Sequence, residues 1–98
     1  MKFNFKFDKL LLHEVRLGIM SALMVNDWMD YNSLKELLEL TDGNLASNIA
    51  TLEKHNYIEI KKEFVGKKTK TSYRKTKNGK AAFQTHLKAL ENFINTQE

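Results

Sequence analysis

Lysine and arginine are concentrated in one part of the chain. Residues 54–80 contain ten Lys or Arg and two Asp or Glu, a net charge of +8, whereas residues 1–53 and 81–98 have net charges of −3 and −1. A local excess of this size attracts polyanions, nucleic acids among them. The alternative is a lysine-rich hairpin whose charges only protect an exposed strand edge from aggregation.

Patterns that would indicate catalysis or metal binding are missing from the sequence. His13, His55 and His86 lie on separate predicted elements without the spacing of metal ligands. There are no paired carboxylates, no nucleophile elbow and no glycine-rich phosphate loop. Cysteine is absent, which excludes disulfides and thiolate metal sites. We therefore expect no enzyme activity, no metal and no cofactor, and we interpret His86 as a packed core residue.

Length and composition indicate a single globular domain over residues 1–98. A chain of 98 residues can bury one core but is too short for two. Its 42% hydrophobic and 29% charged residues are typical of a folded protein. The longest apolar stretches fall far below the ~20 residues that span a bilayer, and there is no signal-peptide pattern. The sequence thus predicts a cytoplasmic protein without membrane association.

Hydrophobic periodicity predicts two helices and a short strand in the first 40 residues. Residues 10–25 form a helix with two apolar stripes, so one side needs a cover from the last helix or from another subunit. Residues 28–31 resemble a brief strand. Ser33 and Glu36 have the form of a capping box and open the second helix, with Asn32 as the rival cap.

A third helix follows a break at residues 41–44, where Thr41 is the expected N-cap. Leu45, Ile49 and Leu52 recur at spacings of four and three and form its inward face. The spacing then leaves mostly polar residues on the outward face: Asn44, Ser47, Asn48, Thr51, Lys54 and His55.

The basic region begins as a hairpin and leads into a last helix. Residues 57–65 alternate as in a half-buried strand, with Ile58, Ile60 and Phe64 inward. Residues 66–70 form the predicted tip, and residues 71–76 return as the second strand. Thr76 then caps a helix with an apolar stripe, which consists of Phe83, Leu87, Leu90, Phe93 and Ile94.

Three segments resemble those of small winged-helix transcriptional regulators related to the MarR and ArsR groups. They are FDKLLLHEVRLGIMSAL, LKELLELTDGNLASNIATLEKHNYIEI and FVGKKTKTSYRKTKNGKAAF. The resemblance covers residues 7–94. It implies a mainly α-helical winged helix-turn-helix with a small antiparallel β-hairpin, which binds double-stranded DNA as a symmetric homodimer and acts as a repressor.

The resemblance and the residue patterns agree on a DNA-binding surface. The second helix of a helix-turn-helix enters the major groove, which assigns base or backbone contacts to Asn44, Ser47, Asn48, Thr51 and Lys54. The hairpin would reach phosphates or the minor groove through Lys67, Lys68, Lys70 and Arg74. The alternative for the helix is a polar face that only keeps it soluble. The alternative for the whole protein is a winged-helix scaffold that binds protein or RNA.

Dimerisation is assigned to the first and last helices. The candidates are Leu17, Met20, Met24, Phe83, Leu87, Leu90 and Ile94, each of which could instead belong to the core. Phe3, Phe5 and Phe7 alternate as in an edge strand, and could pack across the dimer or form a tail. The sequence identifies neither an operator nor a small-molecule effector.

Overall fold

A computed structural model describes residues 6–96 of the chain. This range forms four helices and a three-stranded antiparallel sheet with strand order β1–β3–β2. It has the winged helix-turn-helix architecture that the sequence predicts. The elements are α1 (Glu14–Val25), β1 (Met29–Asp30), α2 (Tyr31–Leu38), α3 (Asp42–Lys54), β2 (Ile58–Val65), β3 (Lys68–Lys75) and α4 (Lys77–Asn95).

The predicted caps of α3 and α4 are confirmed. Thr41 Oγ1 accepts a hydrogen bond from the backbone N–H of Asn44, and Thr76 Oγ1 accepts one from the N–H of Gly79. Each bond satisfies a backbone donor of the first turn that has no partner within the helix. Both helices therefore begin where the sequence indicates.

The first two helices begin at other residues than predicted. The cap of α2 is Asp30, whose carboxylate accepts from the N–H of Ser33 at 2.9 Å, so that neither Ser33 nor Asn32 is the cap. An aspartate with a free side chain in the preceding strand competes successfully for this position. Helix α1 begins at Glu14 rather than at residue 10, because residues 9–12 form turns that end at the cap His13.

The core lies between α1, the helix-turn-helix and the sheet. Its fully buried apolar side chains come from the segment before α1 and from helices α1, α2 and α3: Leu11, Ile19, Met20, Leu23, Leu34, Leu45 and Leu52. Ile58 and Tyr73 add the inner face of the sheet, and Phe83 adds α4. The inward face predicted for α3 is confirmed, since Leu45, Ile49 and Leu52 are all buried.

Two of the predicted dimer contacts belong to this core. Met20 has no exposed surface and Phe83 is 7% exposed, so both assignments to a subunit interface are wrong. The second stripe of α1 is covered by the chain's own last helix instead. Leu17 and Met24 are half-buried and pack against the same core.

The segment before α1 is tied to α4 and β2. The Asp8 carboxylate accepts a hydrogen bond from the Tyr57 hydroxyl, and the Asp8 N–H donates to Nδ1 of His86 at 3.0 Å. His86 is buried, as predicted. Phe7 makes edge-to-face contacts with His86 and Phe93 at centroid distances of 6.2 and 5.8 Å, which places it on its own chain's α4. Phe3 and Phe5 lie outside the described residues.

The Tyr57 hydroxyl makes the stability of the protein vary with pH in the alkaline range. Burial, and then the hydrogen bond to Asp8 and its charge, raise the pKa of Tyr57 from 10.0 to about 12. Between these values the unfolded chain loses the phenolic proton while the folded chain keeps it, so the unfolding free energy falls as the pH rises.

Tyr57→Phe should therefore cost about 1–3 kcal/mol at pH 7, through the lost hydrogen bond, and should flatten the decline above pH 10. Urea denaturation of both proteins at pH 7–12 measures this. Burial also raises the pKa values of Tyr31 and Tyr73, so both proteins should lose stability at alkaline pH. The quantity to compare is the slope of unfolding free energy against pH in the two proteins. Parallel slopes would contradict the role assigned to Tyr57.

The basic hairpin is longer and its turn tighter than predicted. Val65 pairs with Lys68 across a two-residue turn, in which Gly66 has φ +67°, a conformation that favours glycine. Strand β3 therefore begins at Lys68 rather than at residue 71. Phe64 keeps to the face of Ile58 and Ile60, yet it is 81% exposed, because the core ends near Ile60. The prediction that Phe64 packs inward is wrong.

Candidate nucleic-acid interface

Side chains of helix α2 contact the first turn of helix α3. Glu39 ends α2 in the left-handed conformation, with φ 52°. Lys35 forms an ion pair with Asp42 at 3.0 Å, and the Tyr31 hydroxyl donates to the same carboxylate at 3.2 Å. These two hydrogen bonds lower the pKa of Asp42, so that it is ionised in the first turn of α3, where the helix dipole favours a negative charge. These contacts of Lys35 and Tyr31 with Asp42 help to set the angle between α2 and α3.

The exposed face of α3 runs through Gly43, Ser47, Ala50 and Lys54. Ala50 is not among the residues predicted to contact DNA, although its spacing from Ser47 and Lys54 places it between them on this face. An alanine methyl group can contact the methyl group of thymine. The side chains on this face are short apart from Lys54, so a nucleic acid can approach the helix backbone closely.

Asn48 does not lie on this face. It is 5% exposed, and its Oδ1 accepts from Arg16 Nη1 at 3.0 Å. Its Nδ2 donates to the carbonyl and side-chain oxygens of Asn44, both at 2.8 Å. The prediction that Asn48 faces outward is wrong, because a cation from α1 supplies the partner that allows an amide to be buried.

We expect Asn48→Ala to destabilise the protein. The change removes the acceptor of Arg16 Nη1 in a partly buried site, although Arg16 Nε still donates to the Leu10 carbonyl, and the unsatisfied donor costs about 1–3 kcal/mol. Thermal unfolding should show a lower melting temperature than that of Ser47→Ala, the control on the exposed face. Equal melting temperatures would show that water replaces the Asn48 amide at no cost.

The other predicted contacts on α3 remain accessible in different ways. Asn44 is exposed, and the bond from Asn48 holds its side-chain oxygen in place. Thr51 is half-buried and its hydroxyl donates to the Ser47 carbonyl at 3.2 Å, which leaves its methyl group as the outward feature. Lys54 is exposed at the end of the helix, and the neighbouring His55 caps it.

Cations at the base of the hairpin are already paired. Two nitrogens of the Arg74 guanidinium, Nε and Nη2, contact the same carboxylate oxygen of Glu59. The Arg74 guanidinium also lies 4.6 Å from the ring centre of Trp28, and the Lys61 ammonium lies 4.3 Å from it. Lys75 donates to the Leu23 carbonyl at 3.1 Å, at the end of α1. Three of the ten cations in residues 54–80 therefore take part in contacts that stabilise the fold.

Cations at the tip are unpaired. Lys67, Lys68 and Lys70 are exposed and form no ion pair with residues 6–96. Arg74, which was grouped with them, lies six residues along β3 from Lys68, about 20 Å at ~3.3 Å per residue. The structure thus separates Arg74, which is held by Glu59, from the lysines at the tip.

Residues 6–96 contain no group of three or more His, Asp or Glu side chains that could hold a metal ion. No helix in this range is long and apolar enough to cross a lipid bilayer.

A helix-turn-helix with an exposed second helix, followed by a basic β-hairpin, defines a winged-helix DNA-binding protein. The comparison with known families agrees. The chain belongs to the winged helix DNA-binding domain family, whose model matches residues 15–94. As a member of this family it is a DNA-binding protein and not an enzyme.

Similar proteins occur in archaea and bacteria. An uncharacterized protein of Methanocaldococcus jannaschii is 36% identical over 73 residues, which are 74% of this chain and 79% of that protein. A transcriptional regulator homologue from Pyrococcus horikoshii superposes with a TM-score of 0.84 at 28% identity, over 91% of this chain and 88% of that one. The structure of MarR gives 0.75 at 16% identity, over 90% and 64%, a likeness of fold alone.

Proposed function

We propose that the protein is a homodimeric repressor that binds specific double-stranded DNA sites, with α3 in the major groove and the hairpin on the phosphate backbone or in the minor groove. The observation that carries the proposal is the division of charge along the hairpin. The cations at its base are paired with acids, a carbonyl and Trp28, whereas Lys67, Lys68 and Lys70 are exposed and form no ion pair within the described residues. Unpaired lysines on a protruding tip gain most from phosphate contacts, through counterion release.

The chemistry of α3 favours modest sequence specificity. Asn44 can pair with the N6 and N7 atoms of adenine, Ser47 can bond to several base edges, and the Thr51 methyl group can touch thymine. Lys54 is the only cation on this face and lies late on the helix, where it would meet a phosphate. Asn48 acts indirectly by orienting Asn44. We therefore expect a preference for A·T-rich half-sites.

The exposed part of α4 supports the homodimer. Leu87 and Ile94 are 41% and 63% exposed, and the half-buried Leu90 lies between them. Apolar side chains at these spacings form a stripe along one side of the helix. The chain's own core does not cover this stripe, although it does cover Met20 and Phe83. A two-fold dimer through this stripe would present two copies of α3 to half-sites ~34 Å apart.

Leu87→Glu/Ile94→Glu should convert the dimer to a monomer without unfolding it, since both side chains are exposed. Sedimentation velocity at micromolar concentration measures the state. Val25→Glu is the control, because Val25 is 83% exposed on another helix. If the unaltered protein sediments only as a monomer, the proposed dimer is wrong.

Selection of bound duplexes from a random pool tests the function as a whole. We expect enriched sites with two inverted half-sites, and binding that weakens steeply with salt. Transcription in vitro from a promoter that carries the selected site should fall as the protein is added. Absence of duplex binding even at low salt would favour the alternative, a module that binds RNA or another protein.

A further inference from the structure

The tip of the basic hairpin carries two large apolar side chains that are exposed to solvent. Phe64 is 81% exposed and Val65 is 60% exposed, directly before the two-residue turn. Lys62, Lys67 and Lys68 surround them and are exposed as well. A strand end usually carries charges that keep it soluble, so a phenylalanine here requires a reason.

Phe64 is not an extension of the core. The inner face of β2 passes from the buried Ile58 through the half-buried Ile60 to the exposed Lys62, and only then reaches Phe64. Across the ladder Phe64 stands opposite Thr69, and Val65 stands opposite Lys68 on the other face. The ring therefore sits beyond the body of the protein, on a tip that is two strands wide.

We propose that Phe64 is an apolar wedge that enters between base pairs of the bound duplex and kinks it. The proposal rests on the proposed function, since it requires that the hairpin reach DNA. Apolar side chains inserted from the minor groove unstack a base step and bend the duplex by about 20–90°. The lysines at the tip hold the adjacent phosphates and thereby place the ring at the step.

Duplex DNA fits this tip better than a membrane or a second copy of the chain. A single ring with lysines beside it presents a narrow wedge, whereas helices that lie on membranes offer a broad apolar face. A second copy would bring its own tip lysines against these, a repulsion between like charges. A polyanion with a hydrophobic interior satisfies both the lysines and the ring.

Ligase-catalysed ring closure of random-sequence fragments of about 150 base pairs tests the wedge, because unkinked DNA of this length resists circularisation. The protein should raise the rate of closure severalfold. Phe64→Ala should abolish this increase at matched occupancy and weaken duplex binding about tenfold. Phe64→Lys adds a cation and should restore affinity without restoring closure. Val25→Ala, at a similarly exposed valine, is the control and should behave as the unaltered protein.

Each other outcome overturns the wedge. Equal closure rates with the unaltered protein and Phe64→Ala, at equal occupancy, would leave the proposed function intact and remove the wedge alone. No duplex binding at low salt would remove both. If the protein bound anionic phosphatidylserine vesicles through Phe64 and did not bind DNA, the tip would be a lipid-binding site. A Phe64→Ala protein that sediments as a smaller species without DNA would assign it to a subunit contact.

Discussion

Gly79→Ala is expected to destabilise the protein by about 3 kcal/mol or more, at the upper end of the cost of overpacking because the overlap is with backbone. A Cβ atom at this position would overlap the carbonyl oxygen of Tyr57 and lie 3.0 Å from Met20 Cε. The Tyr57 carbonyl cannot move freely, because it accepts the backbone N–H of Thr76 at 3.0 Å. The start of α4 therefore has to shift away from β2.

Thermal unfolding measures the effect, which for a domain of this size amounts to more than about 12 °C in melting temperature. Gly43→Ala is the matched control, because a Cβ there meets nothing within 4 Å. Gly43 lies in helix α3, so the control should gain up to ~1 kcal/mol from the higher helix propensity of alanine. If both variants melt at the temperature of the unaltered protein, the close approach of α4 to Tyr57 is wrong.

Lys67→Glu/Lys68→Glu should reduce affinity for random-sequence duplexes by on the order of 100-fold at low salt. A dimer that contacts about six phosphates has a slope of log K against log salt of about −5, and loss of four contacts leaves a slope of about −2. Both side chains are exposed at the tip, so the fold should be unaffected. Fluorescence anisotropy over a salt series measures affinity and slope together.

The control for net charge is Lys9→Glu/Lys88→Glu, which makes the same change at exposed residues outside the hairpin. It should keep most of the affinity and nearly all of the slope. Equal losses in the two variants would indicate an effect of total charge, and unchanged affinity in the hairpin variant would remove the hairpin from the interface.

The local features of the fold were predictable from the sequence. Thr41 and Thr76 cap their helices, and Gly66 takes the left-handed conformation of the turn. Each depends on interactions within about four residues along the chain, which short-range spacing reports directly. The apolar face of α3 and the burial of His86 follow from the same periodicity.

The tertiary structure alone decided which side chains remain available to a partner. Asn48 is buried because Arg16, 32 residues away, reaches its amide, and Arg74 is withdrawn from the tip because Glu59 stands opposite it in the ladder. Met20 and Phe83 lie in the core because α4 folds back over α1. The amino-acid sequence by itself determined the helices, the hairpin and the excess of positive charge. Only the packing of distant elements decided which polar and apolar groups are satisfied internally, because burial and pairing depend on partners that spacing along the chain does not reveal.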